Sequence, residues 1–399
     1  MFTIKRVLYV LGFVALLLGL YGFFSRLFFG ERDVNYGSYV NWGLWVAMYL
    51  FFAGMAAGSY MVATLDYLFR VPLFKGTGKY ALLGSLVTLP FALVLIGFDL
   101  GHMERIWKVY LQPNFSSLLA QLVWSYTLFL VVAVVSIVIA RRGEGLPLRI
   151  VMSIGLVLSV FVSGAVGALL GVNASRASLH TAMLPAQFPV FNLTSGLAMM
   201  LIFVGFFNII KDGEQRARLM RVLSVALVVL LMVKAYFIWV DYSQALYAGT
   251  PPAVEATNLV LFGTYAWAFW ILQVALGILV PILILVQPNL ARRGMVAGLM
   301  AVLVLVGLAV GRTAIIFPAL AIPELRGLAD AFTGPHLNYD YVPSLMEWSV
   351  VLGVIGMSTL AFLLASDRLS FFNNAPPSAT AQGPERAART FDKTAEVTR

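Results

Sequence analysis

A cluster of titratable side chains stands in the stretch FDLGHMERIWKVY, residues 98–110, directly after a long apolar run. Asp99, His102, Glu104 and Arg105 lie close together in this stretch. Carboxyl and imidazole groups can accept or pass on a proton, which is general acid–base chemistry. An apolar segment that ends in such a cluster predicts a proton-handling site at the end of a helix.

Further ionisable residues lie inside apolar segments or at their edges. A charge at mid-membrane costs on the order of 2.5–3.5 kcal/mol on insertion scales, so such residues normally face a bundle interior or water and are functional. We predict that they form a polar path for protons. The alternative is a set of structural ion pairs such as Arg312–Glu347. The residues are Lys234, Asp241, Arg312, Glu347 and Asp66.

The sequence offers few ligands for a bound electron carrier. It contains no Cys, which excludes iron–sulfur ligation by this chain, disulfides and catalytic thiols. A membrane haem b needs histidines inside spans, whereas His102, His180 and His336 all lie in or beside predicted loops. We therefore expect no haem, iron–sulfur cluster or metal site in this chain, and any redox role to use a diffusible carrier.

Aromatic side chains could form the apolar slot that a quinone head group needs, with one or two polar donors at its carbonyls. Trp42 and Tyr49 lie at the start of the second apolar segment, and Trp124 lies in the fourth. Tyr49 is the predicted hydrogen-bond donor. The small residues that follow it, in the run AGMAAG, would let a neighbouring helix approach closely.

The chain as a whole has the composition of an integral membrane protein. Its 399 residues are 61% hydrophobic and 11% charged, with a mean hydropathy of +0.90, whereas a soluble protein is about 25% charged. A helix needs about 20 apolar residues to cross a bilayer. We predict an all-α fold with ten such spans, at 7–29, 41–66, 79–99, 117–140, 149–172, 188–210, 219–242, 258–286, 294–320 and 343–366.

The distribution of charge predicts the orientation. Most Lys and Arg fall in the loops on one side, together with both termini, and this side is therefore expected to be cytoplasmic. The net charge of +9 is explained by this bias and does not indicate nucleic-acid binding. We expect a multi-pass protein of a bacterial inner membrane, in contact with lipid. Its membrane domain would cover 1–366, and the polar Pro/Ala/Thr-rich stretch 367–399 would be a disordered cytoplasmic tail.

Three stretches resemble the NrfD/PsrC (polysulfide reductase-like) family of membrane subunits. They are NWGLWVAMYLFFAGMAAGSY, IGFDLGHMERIWKVYLQPNFSS and YVPSLMEW. The family pattern has a Trp-Gly entry, a small-residue helix and the motif Asp-Leu-Gly-His-Pro-Glu-Arg-Phe-Trp. Here Met103 replaces the Pro of that motif and Ile106 replaces the Phe. The resemblance covers residues from about 40 to 366.

The resemblance implies a subunit without its own metal cofactors, built from two four-helix bundles plus flanking helices. It also implies a menaquinone or ubiquinone site near the outer face. A docked four-cluster iron–sulfur subunit would exchange electrons with that site. That subunit would in turn connect to a molybdopterin subunit, another redox subunit or cytochrome c subunits. The chain would then be a part of a quinone-linked oxidoreductase and not an enzyme on its own.

Transferred to this sequence, the resemblance places Asp99 beside the quinone, and His102, Glu104 and Arg105 at the docking surface. Tyr49 stands roughly where relatives have a quinone-contacting polar residue, often His. Asp99 would accept a proton during quinol oxidation, and the proton would leave through Glu104 and His102. Proton translocation across the membrane would also need the buried charges predicted above to form a polar path, such as Lys234, Arg312 and Glu347.

Two other functions fit the same residues. Ten spans and buried charges such as Lys234 and Arg312 are compatible with a secondary transporter. However, Pro189, Pro281 and Pro318 lie towards span ends, whereas transporters usually interrupt helices near mid-membrane. A structural anchor that has lost its quinone site is the third possibility, and the presence of Asp99 argues against it.

Overall fold

The computed structural model describes residues 2–207, 209–325, 327–332, 334–369 and 371. This part of the chain is helical, and its ten long helices are each long and apolar enough to cross a membrane. This confirms the predicted all-helical membrane fold. The helices are α1 Phe2–Phe29, α2 Leu44–Tyr67, α3 Gly78–Asp99, α4 Leu118–Arg142, α5 Leu146–Gly171, α6 Met183–Phe207, α7 Gly213–Ala248, α8 Ala268–Leu285, α9 Gly294–Leu320 and α10 Leu345–Arg368. Most of the predicted tail, 372–399, lies outside the described residues.

The eighth predicted span is interrupted in the structure. Residues 258–286 do not form one helix, because a separate short helix, Pro251–Leu261, ends there and α8 begins only at Ala268. The backbone N–H groups of Phe262 and Gly263 both donate to the carbonyl of Asn258. This pattern closes a helix at its C-terminus, and a glycine commonly follows such an end. The break is not visible in the hydropathy because both sides of it are apolar.

The middle eight helices form two bundles of four. Helices α2–α5 pack together as the first bundle and α6–α9 as the second, with α2 and α5 contacting α6 and with α2 contacting α9. Helix α2 is therefore buried along nearly its whole length. Successive helices run in opposite directions, so one end of the bundles carries the last residue of α3. We call it the Asp99 end; it is the predicted outer side.

Glycines let α2 and α6 approach closely where the bundles meet. A Cβ atom at Gly58 would overlap the backbone of Asn192 and Gly196 in α6, and one at Gly196 would overlap the backbone of Gly58. The expected close approach of the small-residue run is thus confirmed at this position. The two bundles are held backbone against backbone here.

Gly58→Ala is expected to destabilise the fold, because a methyl group would have to push two backbones apart. Overpacking of a tight core costs about 1–3 kcal/mol, and the neighbouring atoms here are backbone, which yields less than a side chain. The thermal unfolding midpoint of the purified protein in detergent measures the loss. Gly164→Ala is the matched control, since its nearest neighbour would be the Pro185 carbonyl oxygen at 3.5 Å, an ordinary contact. Equal midpoints for the two variants would contradict the prediction.

Candidate functional site at the Asp99 end

Asp99 ends α3 and is half-buried. Its Oδ1 atom is buried and has no hydrogen-bond partner in the part of the chain that the structure describes. Arg26, Glu31 and Glu347 lie within electrostatic range of the carboxyl group. A buried acceptor without a partner is rare and costs free energy. One oxygen of Asp99 is therefore buried with its hydrogen-bonding capacity unused by the described residues.

Arg26 holds the end of α3 in place. Its side chain extends from the last turn of α1 and is only 3% exposed. Its Nε donates to the Phe98 carbonyl at 2.6 Å, and one Nη donates to the Leu100 carbonyl at 2.8 Å and lies 3.1 Å from Glu31. The two carbonyls flank Asp99 in the sequence, so Arg26 positions that residue. No role was predicted for Arg26, although its position inside the first predicted span, 7–29, was an available signal.

Glu347 anchors the segment that leads into α2. The side chain is fully buried and accepts hydrogen bonds from the backbone N–H groups of Asn35, Leu44 and Ser344, at 3.0, 3.3 and 3.2 Å. It also accepts a short hydrogen bond from the hydroxyl of Tyr341. Burial, and then the charge of Glu347, raise the pKa of Tyr341 far above its usual range, so Tyr341 remains a donor. The Leu44 N–H also donates to the Tyr341 hydroxyl at 2.7 Å, so Tyr341 and Glu347 together supply the N-terminal cap that Gly43, which precedes α2, cannot provide.

Tyr36 is a second buried group without a partner. Its hydroxyl has no hydrogen bond among the described residues. Burial raises the pKa of Tyr36 well above its usual value, and the charges of Asp99, Glu31 and Glu347 raise it further. The phenol therefore stays protonated and can donate. Its ring contacts the fully buried Trp45, 5.8 Å between centroids, and Trp45 in turn contacts Phe98 at 6.3 Å. Tyr36 had no recognisable signal in the sequence.

His102, Glu104 and Arg105 form a separate cluster on the surface. The His102 Nδ1 lies 3.0 Å from the Glu104 carboxylate, and the Arg105 Nε lies 3.6 Å from it. All three side chains are exposed. The backbone N–H of Glu104 and the neighbouring His102 ring lower the pKa of Glu104. Glu104 is therefore ionised near neutral pH and suits a docking surface better than a proton store.

The three aromatic residues that were predicted to contact a quinone lie in different surroundings. Tyr49 is buried against Tyr126, with ring centroids 6.0 Å apart. Trp124 is 38% exposed and donates to the Val109 carbonyl at 3.2 Å. Trp42 is half-buried just before α2. A quinone contact for these three residues stays a prediction, and the structure groups none of them with the unpaired atoms of Asp99 and Tyr36.

The suggested Arg312–Glu347 ion pair is wrong. Arg312 donates to the side-chain oxygen of Asn192 at 2.7 Å and lies over the ring of Phe188, 3.9 Å from its centroid. Its other Nη is buried without a partner in the described part of the protein. Asn192 continues the contact to Ser163 at 2.8 Å. Arg312 therefore joins α9 to α6 and α5 through polar and aromatic contacts, while Glu347 serves α2.

The other residues predicted for a proton path lie in two places. Asp66 is at the far end of α2, where it accepts from the backbone of Gly76 at 3.0 Å and Gly78 at 2.8 Å and so caps the start of α3. Lys234 and Asp241 line a cavity of about 520 Å³ in the second bundle. A continuous path between these places stays a prediction. Among the described residues, no group of three or more His, Asp and Glu side chains could hold a metal ion.

Comparison with known proteins agrees with the resemblance of the motifs. The family model described as "Polysulphide reductase, NrfD" matches residues 34–324. The sequence is 29% identical to the C subunit of selenate reductase from Mesobacillus selenatarsenatis, over 91% of this protein and 93% of that one. It is 27% identical to the Hdr-like menaquinol oxidoreductase integral membrane subunit of Archaeoglobus fulgidus, over 86% and 88%. It is also 26% identical to the protein NrfD of Escherichia coli, over 61% and 83%. With the family model matching most of its length, and with its helices packed as two bundles of four, the chain belongs to the NrfD family of integral membrane proteins.

Proposed function

We propose that the chain is the quinone-reactive membrane subunit of a multi-subunit oxidoreductase. The observation that carries the proposal is the unpaired Asp99 oxygen in the same buried cluster as the unpaired Tyr36 hydroxyl. An acceptor and a protonated donor beside aromatic rings form the polar part of a site for a quinone head group. One of the relatives, that from Archaeoglobus fulgidus, is named for menaquinol.

A quinol supplies two electrons and two protons when it is oxidised. At this site Asp99 accepts the two protons one after the other at Oδ1, and Arg26 keeps the carboxyl group at the end of α3 by holding the carbonyls of Phe98 and Leu100. Tyr36 holds an oxygen of the head group through its hydroxyl. Each proton leaves towards the exposed His102 and Glu104. The quinone is menaquinone or ubiquinone.

The electrons pass to an iron–sulfur subunit that docks on the Asp99 end. The segment 103–111 offers exposed apolar side chains next to charged ones, with Ile106 at 45%, Trp107 at 49% and Leu111 at 73% exposure. Such a mixture of aromatic, apolar and Arg residues is typical of protein interfaces. The docked subunit links the chain to a further redox subunit, of the molybdopterin or another type.

Arg105→Glu is expected to weaken this docking, because it places a negative charge beside Glu104 and removes an Arg from the surface. Loss of charge complementarity mainly slows association, so recovery of the iron–sulfur subunit with the tagged protein should fall by about tenfold or more at moderate salt. Quantitative mass spectrometry of the affinity-purified complex measures it. Arg218→Glu, an exposed residue at the opposite end, is the control. Equal recovery with both variants would contradict the docking surface.

The whole proposal is tested by purifying the tagged protein from native membranes in mild detergent. We expect bound quinone, co-purifying iron and an iron–sulfur subunit, and a quinol-dependent reduction of its clusters. A lone protein that carries a solute across vesicle membranes would indicate a secondary transporter instead. A stable complex with iron but without quinone binding or quinol oxidation would indicate a structural anchor.

A further inference from the structure

A cavity in the second bundle lies apart from the Asp99 site and takes no part in the chemistry proposed there. It has a volume of about 520 Å³ and is lined by α6, α7, α8 and α9, by the segment 174–181 and by the helix Pro251–Leu261. This volume is in the range of small-molecule sites. Its walls include Phe191, Ile238, Val260 and Ile315. The cavity is therefore large enough and apolar enough for a lipophilic molecule.

Two buried polar groups meet on one wall of this cavity. Lys234 and Gln273 are each only 3% exposed, and Gln273 Oε1 has no hydrogen-bond partner among the described residues. The Lys234 ammonium lies over the ring of Phe191, 4.3 Å from its centroid. A methyl group at Gly311 would lie 3.0 Å from the Lys234 Nζ and 3.4 Å from the Gln273 Nε2. Because Gly311 has no side chain, there is free space beside the Lys234 Nζ and the Gln273 Nε2.

A second polar group lies further along the same cavity. Asp241 is two helical turns after Lys234 on α7, about 10 Å along the axis. Both of its oxygens accept from the side chain of Gln187, at 2.9 and 2.7 Å. Asp241 is therefore held by Gln187 at the other end of the cavity. A charged Lys side chain inside a membrane bundle, such as that of Lys234, requires a hydrogen-bond acceptor.

We propose that this cavity binds a second quinone in its reduced, quinol form, with one hydroxyl accepting from Lys234 and donating to Gln273 Oε1. The ring lies against the apolar walls, and its opposite hydroxyl donates to the Asp241 carboxylate, which Gln187 holds. A molecule with oxygens at both ends of a flat ring fits a cavity that is polar at both ends. A fatty acid or a phospholipid offers oxygens at one end only. This inference rests on the proposed function in one respect, namely that the protein encounters quinones in its membrane.

The test uses the intact complex in native membranes and a short-tailed azidoquinone as a photoreactive probe. After illumination, adducts are mapped by peptide mass spectrometry. We expect two groups of adducts, one near Tyr36 and Trp45 and one in the peptides that carry Phe191, Lys234 and Ile315. Native quinone and acyl lipid extracted from the same preparation are quantified per protein molecule.

Gly311→Ala is the decisive variant, because its methyl group meets only the flexible ends of Lys234 and Gln273 and the fold should survive. It should lower adduct formation in the second group at least tenfold and leave the first group unchanged. Gly164→Ala, the control used above, should leave adduct formation in both groups unchanged. If Gly311→Ala does not assemble, Lys234→Met removes the donor at nearly constant volume and has the same expected result.

The outcomes separate this inference from the proposed function. Adducts near Tyr36 alone, or unchanged labelling of the second group in Gly311→Ala, would overturn the second site and leave the first. Adducts in the second group alone would overturn the Asp99 site and support the cavity. Acyl lipid lost from Gly311→Ala in place of quinone would overturn the assignment of the ligand.

Discussion

Asp99→Asn should lower quinol oxidation by the assembled complex about 10²-fold or more, without preventing assembly. The amide keeps the shape of the carboxyl group but cannot accept a proton, and a positioned general base typically contributes about 10²–10⁴-fold to a rate. Because Oδ1 has no partner among the described residues, the substitution breaks no hydrogen bond of that atom. The measurement is quinol-dependent reduction of the iron–sulfur subunit, followed spectroscopically on the purified complex.

Two comparisons make this result specific to Asp99. Asp340→Asn changes an exposed carboxylate at the same end and should leave the rate as it is. Tyr36→Phe removes the unpaired hydroxyl and should raise the quinol concentration needed for half-maximal rate, since Tyr36 holds the head group and does not take its proton. An Asp99→Asn complex that turns over at the normal rate would remove the basis of the proposed site.

Glu347→Ala is expected to have the largest effect on stability. It leaves the backbone N–H groups of Asn35 and Ser344 and the hydroxyl of Tyr341 without their acceptor, while the Leu44 N–H keeps only the Tyr341 oxygen. A buried donor left unsatisfied costs about 1–3 kcal/mol, so the free energy of unfolding should fall by ~3 kcal/mol or more. The thermal midpoint in detergent and the amount of protein recovered from the membrane both report this loss.

The expected order of the Glu347 variants distinguishes a capping role from a proton path. Glu347→Gln keeps one oxygen acceptor and should be intermediate in stability, while Glu255→Ala, at an exposed carboxylate of the same end, should be neutral. If Glu347 served a proton path instead, Glu347→Gln and Glu347→Ala would both lose activity at nearly normal stability.

The number of helices could be predicted because hydropathy and length determine which segments can cross a membrane. Their grouping into two bundles was implied by the resemblance of the motifs. The sequence did not predict the break before α8, where Phe262 and Gly263 close one helix between two apolar stretches. Helix ends of this kind depend on backbone hydrogen bonds, and these leave little trace in hydropathy. The short helix before the break lines one side of the cavity in the second bundle.

The roles of the buried charges were harder to predict than their presence. Arg312 and Glu347 look like a pair in the sequence, one near the outer end of α9 and the other in the first turn of α10. Their partners are instead Asn192 and the backbone around Leu44, both distant in sequence. Asp99 could be proposed from the sequence because it belongs to a recognisable motif. Tyr36 could not, because a Tyr in an irregular segment has no pattern that sets it apart.

The bond between Glu347 and Leu44 joins positions 303 residues apart. During synthesis, α2 enters the membrane long before the ribosome has translated α10. The first turn of α2 must therefore wait for almost the entire polypeptide before its exposed N–H groups acquire their permanent acceptor. Completion of the Asp99 end is in this way tied to insertion of the final hydrophobic segment, so a truncated polypeptide released early by the translocon would carry an unfinished Asp99 end.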